Sequence, residues 1–317
     1  MSGPTSQPRD PGDAWVTLPD GSEVWGLFGA AGLLAIDAER GVLLQHRVAW
    51  SHHGGTWGIP GGARNQGESA EAGAIRESQE EAGVPDGAVL PRFTHVYDRD
   101  VWTYTTVVAD VVRPFEPVIT DPESLELRWV PIDEVDSYPL HPGFAASWPM
   151  LREQLDTRPA LVVDAANVVG SVPDGWWRDR RGAGERLRDR LAIVAREGIP
   201  AAELELPGDR WHPEIVMVAE GTGRGIVSVS PHENVPGVIE FDESRNFPSY
   251  FGHDGLGGVT LVEAPGHGDD TIAAVTARLV RDGRQVFTVT SDRELAQRAK
   301  TAGAQVRGTG WLRAFTD

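Results

Sequence analysis

The chain carries two blocks of patterned hydrophobicity separated by a short polar interval. Residues 24–37 (VWGLFGAAGLLAID) and 42–48 (VLLQHRV) are apolar runs punctuated by glycine. They predict two strands joined at 39–41. Residues 51–62 are rich in Gly and His and read as a loop. Residues 69–82 predict a helix, opened by Gly67-Glu68-Ser69 and closed by Gly83. Strands are expected at 89–97, 103–112 and 125–130, with a closing helix at 142–155. Strands interrupted by two helices fit an α/β/α sandwich of the α+β class.

Residues 156–159 (DTRP) read as a linker, after which the pattern restarts. Residues 160–163 form a buried-strand pattern ending in Asp164. Further strands are predicted at 214–219, 259–263 and 285–290, and helices at 183–197, 271–282 and 292–302. Alternating strands and helices imply a mainly parallel sheet covered on both faces. Residues 228–252 are irregular, rich in Pro and Asn, and read as a long loop or insertion. The expected organisation is a flexible tail at 1–20, a first domain at 21–155, a linker at 156–159 and an α/β domain at 160–317. No repeat relates the halves.

Composition narrows the chemistry. The 317 residues include no cysteine. That excludes disulfides, thiolate metal sites and cysteine nucleophiles, leaving oxygen and imidazole ligands for any metal. No apolar run reaches the ~18 residues of a membrane span. The first twenty residues lack a signal-peptide core, so a soluble cytoplasmic protein is expected. The net charge of −18 is uneven: residues 1–157 hold 10 basic and 24 acidic side chains, and residues 158–317 hold 19 and 23. An acidic first half disfavours passive adhesion to nucleic acid and suits a site that gathers metal cations.

The most informative run is GARNQGESAEAGAIRESQEEAGV at 62–84. Gly62 is followed by Glu68, then Arg76-Glu77, then Glu80-Glu81, Gly83 and Val84. On a helix, Glu77, Glu80 and Glu81 stand at i, i+3 and i+4 and share one face. Three like charges so placed repel unless a cation neutralises them. Mg2+ takes oxygen ligands, so the cluster suits it. The competing reading is a solvated acidic helix face. The additional Gly62, Glu68, Arg76 and Gly83 at their spacings weigh against it. Ala72, Ile75 and Ala82 are expected to pack on the sheet.

This run resembles the Nudix box, and its flanks agree: WGIPGG at 57–62 and ESLELRWV at 123–130 are similar to the family's segments. The resemblance covers about residues 22–150. Ser78 departs from it, standing where the family usually has an aliphatic residue. The resemblance implies a hydrolase that cleaves the pyrophosphate link of a nucleoside diphosphate-linked or triphosphate substrate. It implies that Glu77, Glu80 and Glu81 ligate Mg2+ or Mn2+, with one of them a candidate base. A carbonyl at Gly61 or Gly62 would complete the shell. Glu68 would pair with Arg76, and Glu123 would add a ligand or base, with Glu126 its competitor. The box does not separate oxidised nucleotides, dinucleoside polyphosphates, nucleotide sugars, ADP-ribose and capped RNA ends. Around it, the pair His52-His53, in the loop before the box, reads either as a phosphate or base contact or as a solvated loop pair, and neither these two nor His95 is counted as catalytic. Trp50 and Trp102 are candidates for stacking, while Trp57 reads as core.

A second set of acids ends separate strands or opens helices: Asp164, Glu220, Asp269 with Asp270, and Asp292. Acids at strand carboxyl ends of a parallel sheet converge at one edge, where ligands bind. Asp269 or Asp292 alone would read as a helix cap, and Glu220 as a turn residue. With Asn167 they read as a shared Mg2+ or Mn2+ site. DAAN at 164–167, GDDTI at 268–272 and TSDRE at 290–294 resemble the PIN-like nuclease superfamily, in its NYN and YacP-like branch. That resemblance covers about 158–317 and implies metal-dependent cleavage of RNA. Glu220 stands where relatives often carry Asp. WWRDRR at 176–181, followed by Arg186, Arg188 and Arg190, suits RNA contact by stacking and charge. Interleaved Asp179, Glu185 and Asp189 suit plain ion pairing instead.

The expectation is a two-domain enzyme with a nucleotide substrate, a metal cofactor, no membrane, and RNA as partner of the second domain. One alternative makes that domain a non-catalytic RNA-binding or partner-docking module. Another makes the first a ligand sensor, which the three intact glutamates argue against. The oligomeric state is left open.

Overall fold

The computed structural model describes residues 11–51, 53–172, 175–223, 225–226, 238–240 and 259–316. The chain divides into two compact units: Met1–Leu155 with Glu205–Arg210, and Asp156–Leu204 with Trp211–Asp317.

In the first unit the strand Ala30–Asp37 is buried along its whole length, as a strand covered on both faces must be. It runs parallel to Thr103–Val111 and antiparallel to Gly41–Arg47 and Gly61–Ala63. Val89–Asp98 flanks Thr103–Val111, and Ser124–Val130 pairs with Gly41–Arg47. The helix Ala70–Ala82 packs through Ala74 and Ala82 onto Ala31, Leu33, Leu43 and Val107. The helix Pro142–Glu153 buries Phe144, Trp148 and Leu151, completing the α/β/α sandwich.

Several local expectations need correction. The single strand expected at 24–37 is two, Glu23–Trp25 and Ala30–Asp37. The break falls at Gly26 and Gly29, whose positive φ values of 105° and 85° turn the chain out of the extended form. Part of the expected tail is ordered, because Trp15–Thr17 pairs with Glu23–Trp25; residues 1–10 lie outside the described residues. On the box helix Ala74, not Ala72, is the inward alanine; Ala72 is exposed and Ile75 only half-buried.

In the six-stranded sheet of the second unit every described pairing is parallel. The order across the sheet is Val238–Glu240, Val259–Glu263, Glu214–Ala219, Pro159–Asp164, Gln285–Val289 and Gln305–Arg307. The first strand in sequence is therefore central, and the order reverses beside it. Pro159, expected in the linker, begins that strand. The insertion expected at 228–252 lies outside the described residues except for the strand Val238–Glu240. Among the described residues no helix is long and apolar enough to cross a membrane.

Candidate functional site

The box helix starts where Ser69 accepts a hydrogen bond from the Ala72 N–H, and stops at Gly83, whose φ of 63° is left-handed. Arg76 organises its outer face. Its Nε and Nη2 donate to the two Glu68 carboxylate oxygens, each at 2.9 Å. Nη2 also reaches the Ala63 carbonyl at 2.9 Å. Nη1 donates to Glu77 at 2.8 Å and to Glu80 at 3.2 Å. One guanidinium therefore ties the loop before the helix to two of the three box glutamates. Hydrogen bonding from Arg76 holds the Glu68 carboxyl below its usual range, and burial pushes Glu77 up. Gly62 leaves room for this, since a Cβ there would lie 2.7 Å from the Glu77 carboxyl.

Glu81 takes a different environment from its neighbours. It is only 9% exposed, whereas the Glu80 side chain is 61% exposed. Glu81 accepts from the Gly61 N–H at 2.9 Å and from Gln45 Nε2 at 3.3 Å. Burial pushes it up to about 8, with further repulsion from Glu77 and Asp121. Its side chain meets two carboxylates from the segment before the strand Ser124–Val130. Oxygens of Glu81, Asp121 and Glu123 lie within 4.8 Å of one another. Asp121 is held by the Glu123 N–H at 3.0 Å and by the Ser124 hydroxyl at 2.7 Å, and Ser124 accepts from Gln45 at 2.8 Å. Arg47 lies 3.6 Å from Glu123. The donor set suits a hard divalent cation. So does the buried Gln45 Oε1, which has no hydrogen-bond partner among the described residues.

The tight group thus joins Glu81 and Glu123 of the expected set and adds Asp121, while Arg76 holds Glu77 and Glu80. Glu126, the competitor of Glu123, pairs with Arg128 Nε at 2.8 Å. Asp121 was legible only as a second acid two residues before Glu123. Gln45 had a clearer signal, a polar residue inside an apolar strand. Ser78, the departure from the family pattern, is fully buried and turns its hydroxyl back to the Ile75 carbonyl at 2.7 Å. Trp57 is core, stacked on His46 with centroids 4.7 Å apart. His53 meets His141 edge-on, and His95 lies near Asp209. Trp50 is 69% exposed, and Trp102 donates from Nε1 to the Gly26 carbonyl at 3.0 Å. His52 lies outside the described residues.

In the second unit Asp164 ends the central strand and is 6% exposed. Its Oδ1 caps the helix Ala165–Gly170 through the Asn167 N–H at 3.0 Å, and Oδ2 accepts from the Thr290 hydroxyl at 2.9 Å. Burial raises Asp164, and Asp269 and Glu220 add repulsion. Asp269 is raised by burial and then by Asp292 and Glu220. The four acids therefore share one edge of the sheet. They also hold local backbone: Glu220 accepts from the Gly268 N–H at 2.6 Å, and Asp292 caps its helix through Leu295 N–H at 2.8 Å. Their oxygens do not form a group as tight as that around Glu81. In the basic stretch, Arg180 lies over Trp176 at 5.2 Å, and Arg181 and Arg188 pair with Glu185 and Asp189.

The NUDIX domain model matches residues 27–154. A Mycobacterium tuberculosis protein is 50% identical over 168 residues, covering 50% of this chain and 75% of its own length. The chain belongs to the Nudix family and is a pyrophosphohydrolase acting on phosphoanhydride bonds. That relative carries the provisional name 8-oxo-dGTP diphosphatase 3. A Bifidobacterium longum protein named as a nucleoside triphosphate pyrophosphatase/Nudix hydrolase fusion is 42% identical over 162 residues, 48% of this chain and 33% of that one. Among solved structures, a Nudix hydrolase from M. smegmatis, RenU, is 49% identical, covering 45% of this chain and 94% of its own, with a TM-score of 0.41.

Proposed function

We propose that the first unit hydrolyses an oxidised purine nucleoside triphosphate of the 8-oxo-dGTP type to the monophosphate and pyrophosphate, using Mg2+ or Mn2+. The convergence of Glu81, Asp121 and Glu123 within 4.8 Å carries this reading. The name of the M. tuberculosis relative supports the substrate class. Glu81, Asp121 and Glu123 would hold the cation, with Glu77 and Glu80 supplying further carboxylates once the Arg76 contacts adjust. When bound, the cation neutralises the phosphates and activates water for attack. Glu81 and Glu123 are the candidate bases: each is a carboxylate of the cluster, able to take the proton of an attacking water. Gln45 and the Gly61 N–H hold Glu81 in place. Gly62, Glu68, Arg76 and Gly83 serve geometry, fixing the loop and ending the helix.

The test is Mg2+-dependent turnover of 8-oxo-dGTP, dGTP, a dinucleoside polyphosphate, a nucleotide sugar and ADP-ribose. Wild type is expected to favour 8-oxo-dGTP, and Glu81→Gln to abolish turnover. Undiminished turnover by Glu81→Gln would overturn the reading.

For the second unit we infer a PIN-like domain that binds or cuts RNA through Asp164, Asp269, Asp292 and Glu220 with Mg2+ or Mn2+. Its support is the position of Asp164 at the carboxyl end of the central strand, where the strand order reverses and open parallel sheets bind ligands. The rival, a non-catalytic RNA-binding or partner-docking module, draws on the capping bonds that Asp164 and Asp292 already make. Cleavage of a single-stranded RNA by the full chain, lost in Asp164→Asn, distinguishes them.

A further inference from the structure

One further polar side chain, Tyr104, stands beside the acidic cluster. Tyr104 is the second residue of the strand Thr103–Val111 and stands opposite Ala30 in the parallel ladder. Its hydroxyl reaches over a cross-strand glycine pair, Gly32 and Gly61. A Cβ on Gly32 would lie 2.1 Å from that oxygen, and one on Gly61 would lie 3.0 Å from it. The glycines are what admit the phenol to this position.

Gly61 faces two ways. Its N–H donates to Glu81, and its Cα lies under the Tyr104 hydroxyl. The charges of Glu81, Arg47 and Glu77 all act on the phenol, which places it beside the cluster rather than in the remote core. The residue is part exposed, and among the described residues its hydroxyl has no hydrogen-bond partner. A phenol is a donor, and polar groups in such half-buried places ordinarily have a partner. Phosphates drawn to a cation at Glu81, Asp121 and Glu123 would be acceptors within this neighbourhood. The carboxylates repel them, so neutral donors are needed at their margin.

We propose that Tyr104 is a substrate-positioning residue whose hydroxyl donates to a phosphate oxygen of the nucleotide. This rests on the nucleoside triphosphate reading above. Trp102 lies two residues earlier in sequence, its ring centroid 6.3 Å from that of Tyr104. Its indole is tied to the Gly26 carbonyl, so it cannot supply the same donor.

The experiment compares full-length wild type with Tyr104→Phe on 8-oxo-dGTP and dGTP in Mg2+. The variant removes one oxygen and keeps the ring. We expect kcat/KM to fall about ten- to hundredfold, the effect of one hydrogen bond to a charged acceptor. The loss enters mainly through KM, is the same factor for both nucleotides, and leaves the Tm unchanged. A packing role would lower the Tm and leave KM alone. With an active wild type, an unchanged kcat/KM in Tyr104→Phe overturns the proposal, and so does a loss confined to one base. A wild type inactive on every nucleotide overturns the triphosphate reading and, with it, this one.

Discussion

Arg76 grips Glu68 with a two-pronged hydrogen bond, Nε to Oε1 and Nη2 to Oε2, both 2.9 Å. The side chains are 26% and 15% exposed, so solvent screens the pair only partly. Arg76→Ala leaves Glu68 and Glu77 half-buried without their cation. We expect it to lower stability by about 2–4 kcal/mol in urea denaturation. Arg76→Lys should recover little, because an ammonium cannot span both oxygens and still reach Glu77. Full recovery by Lys would show that charge alone matters here.

The buried Glu81 makes the metal-free protein sensitive to pH. Its folded pKa, about 8, lies above its unfolded value. Between pH ~4.5 and ~8 the unfolded chain has released this proton and the folded chain still holds it, so stability falls as pH rises. In Glu81→Gln this contribution disappears. Thermal melts in EDTA at pH 5 and pH 8 should therefore show the variant gaining on wild type as pH increases. Mg2+ should reverse the advantage at pH 8. Parallel pH profiles for the two proteins would refute the assignment.

Gly62→Ala places a methyl group 2.7 Å from the Glu77 carboxyl. The carboxyl can swing away, so folding should survive with a small change in Tm. Catalysis should fall at least about tenfold, since misplacing a catalytic group by an ångström has effects of that size. Steady-state kinetics alongside a thermal melt tests both halves of this expectation.

Asp121 should show itself in the metal requirement. Asp121→Asn removes a charge from the cluster and keeps an acceptor for only one of the two donors, the Glu123 N–H and the Ser124 hydroxyl, which bond different carboxylate oxygens. The Mg2+ concentration for half-maximal turnover should rise about tenfold or more. An unaltered Mg2+ titration would exclude Asp121 from the cation's surroundings.

If the second unit cuts RNA as proposed, its acids should be separable from those of the first by activity. Asp164→Asn retains an acceptor for the Asn167 N–H, so the cap persists. Nucleotide hydrolysis should be unchanged while RNA cleavage is lost. Retained RNA cleavage would place that chemistry elsewhere.

The box was legible because its geometry is local. Glu68, Arg76, Glu77, Glu80 and Glu81 sit on one helix and the turn before it, and helical spacing fixes which side chains can meet. The capping residues Ser69 and Gly83 announced the helix ends for the same reason. In the second unit, strand periodicity exposed Asp164 at a strand end, and the parallel sheet followed from alternating strands and helices. Spacing could not tell that Glu80 faces solvent while Glu81 is buried, although they are neighbours. Only the approach of Gly61 and Gln45 to one side of the helix decides that. Nor could it bring Asp121 to Glu81 across forty positions, or pass Tyr104 over Gly32 and Gly61. Those relationships are set by sheet register and by loops crossing the strand ends, where contacts join residues distant in sequence. The sequence by itself therefore determined the family, the box helix and the two sheet classes, all products of short-range pattern. Tertiary structure alone decided which carboxylates converge, which one is buried, and which phenol stands beside them, because burial and charge proximity exist only once the strands are paired.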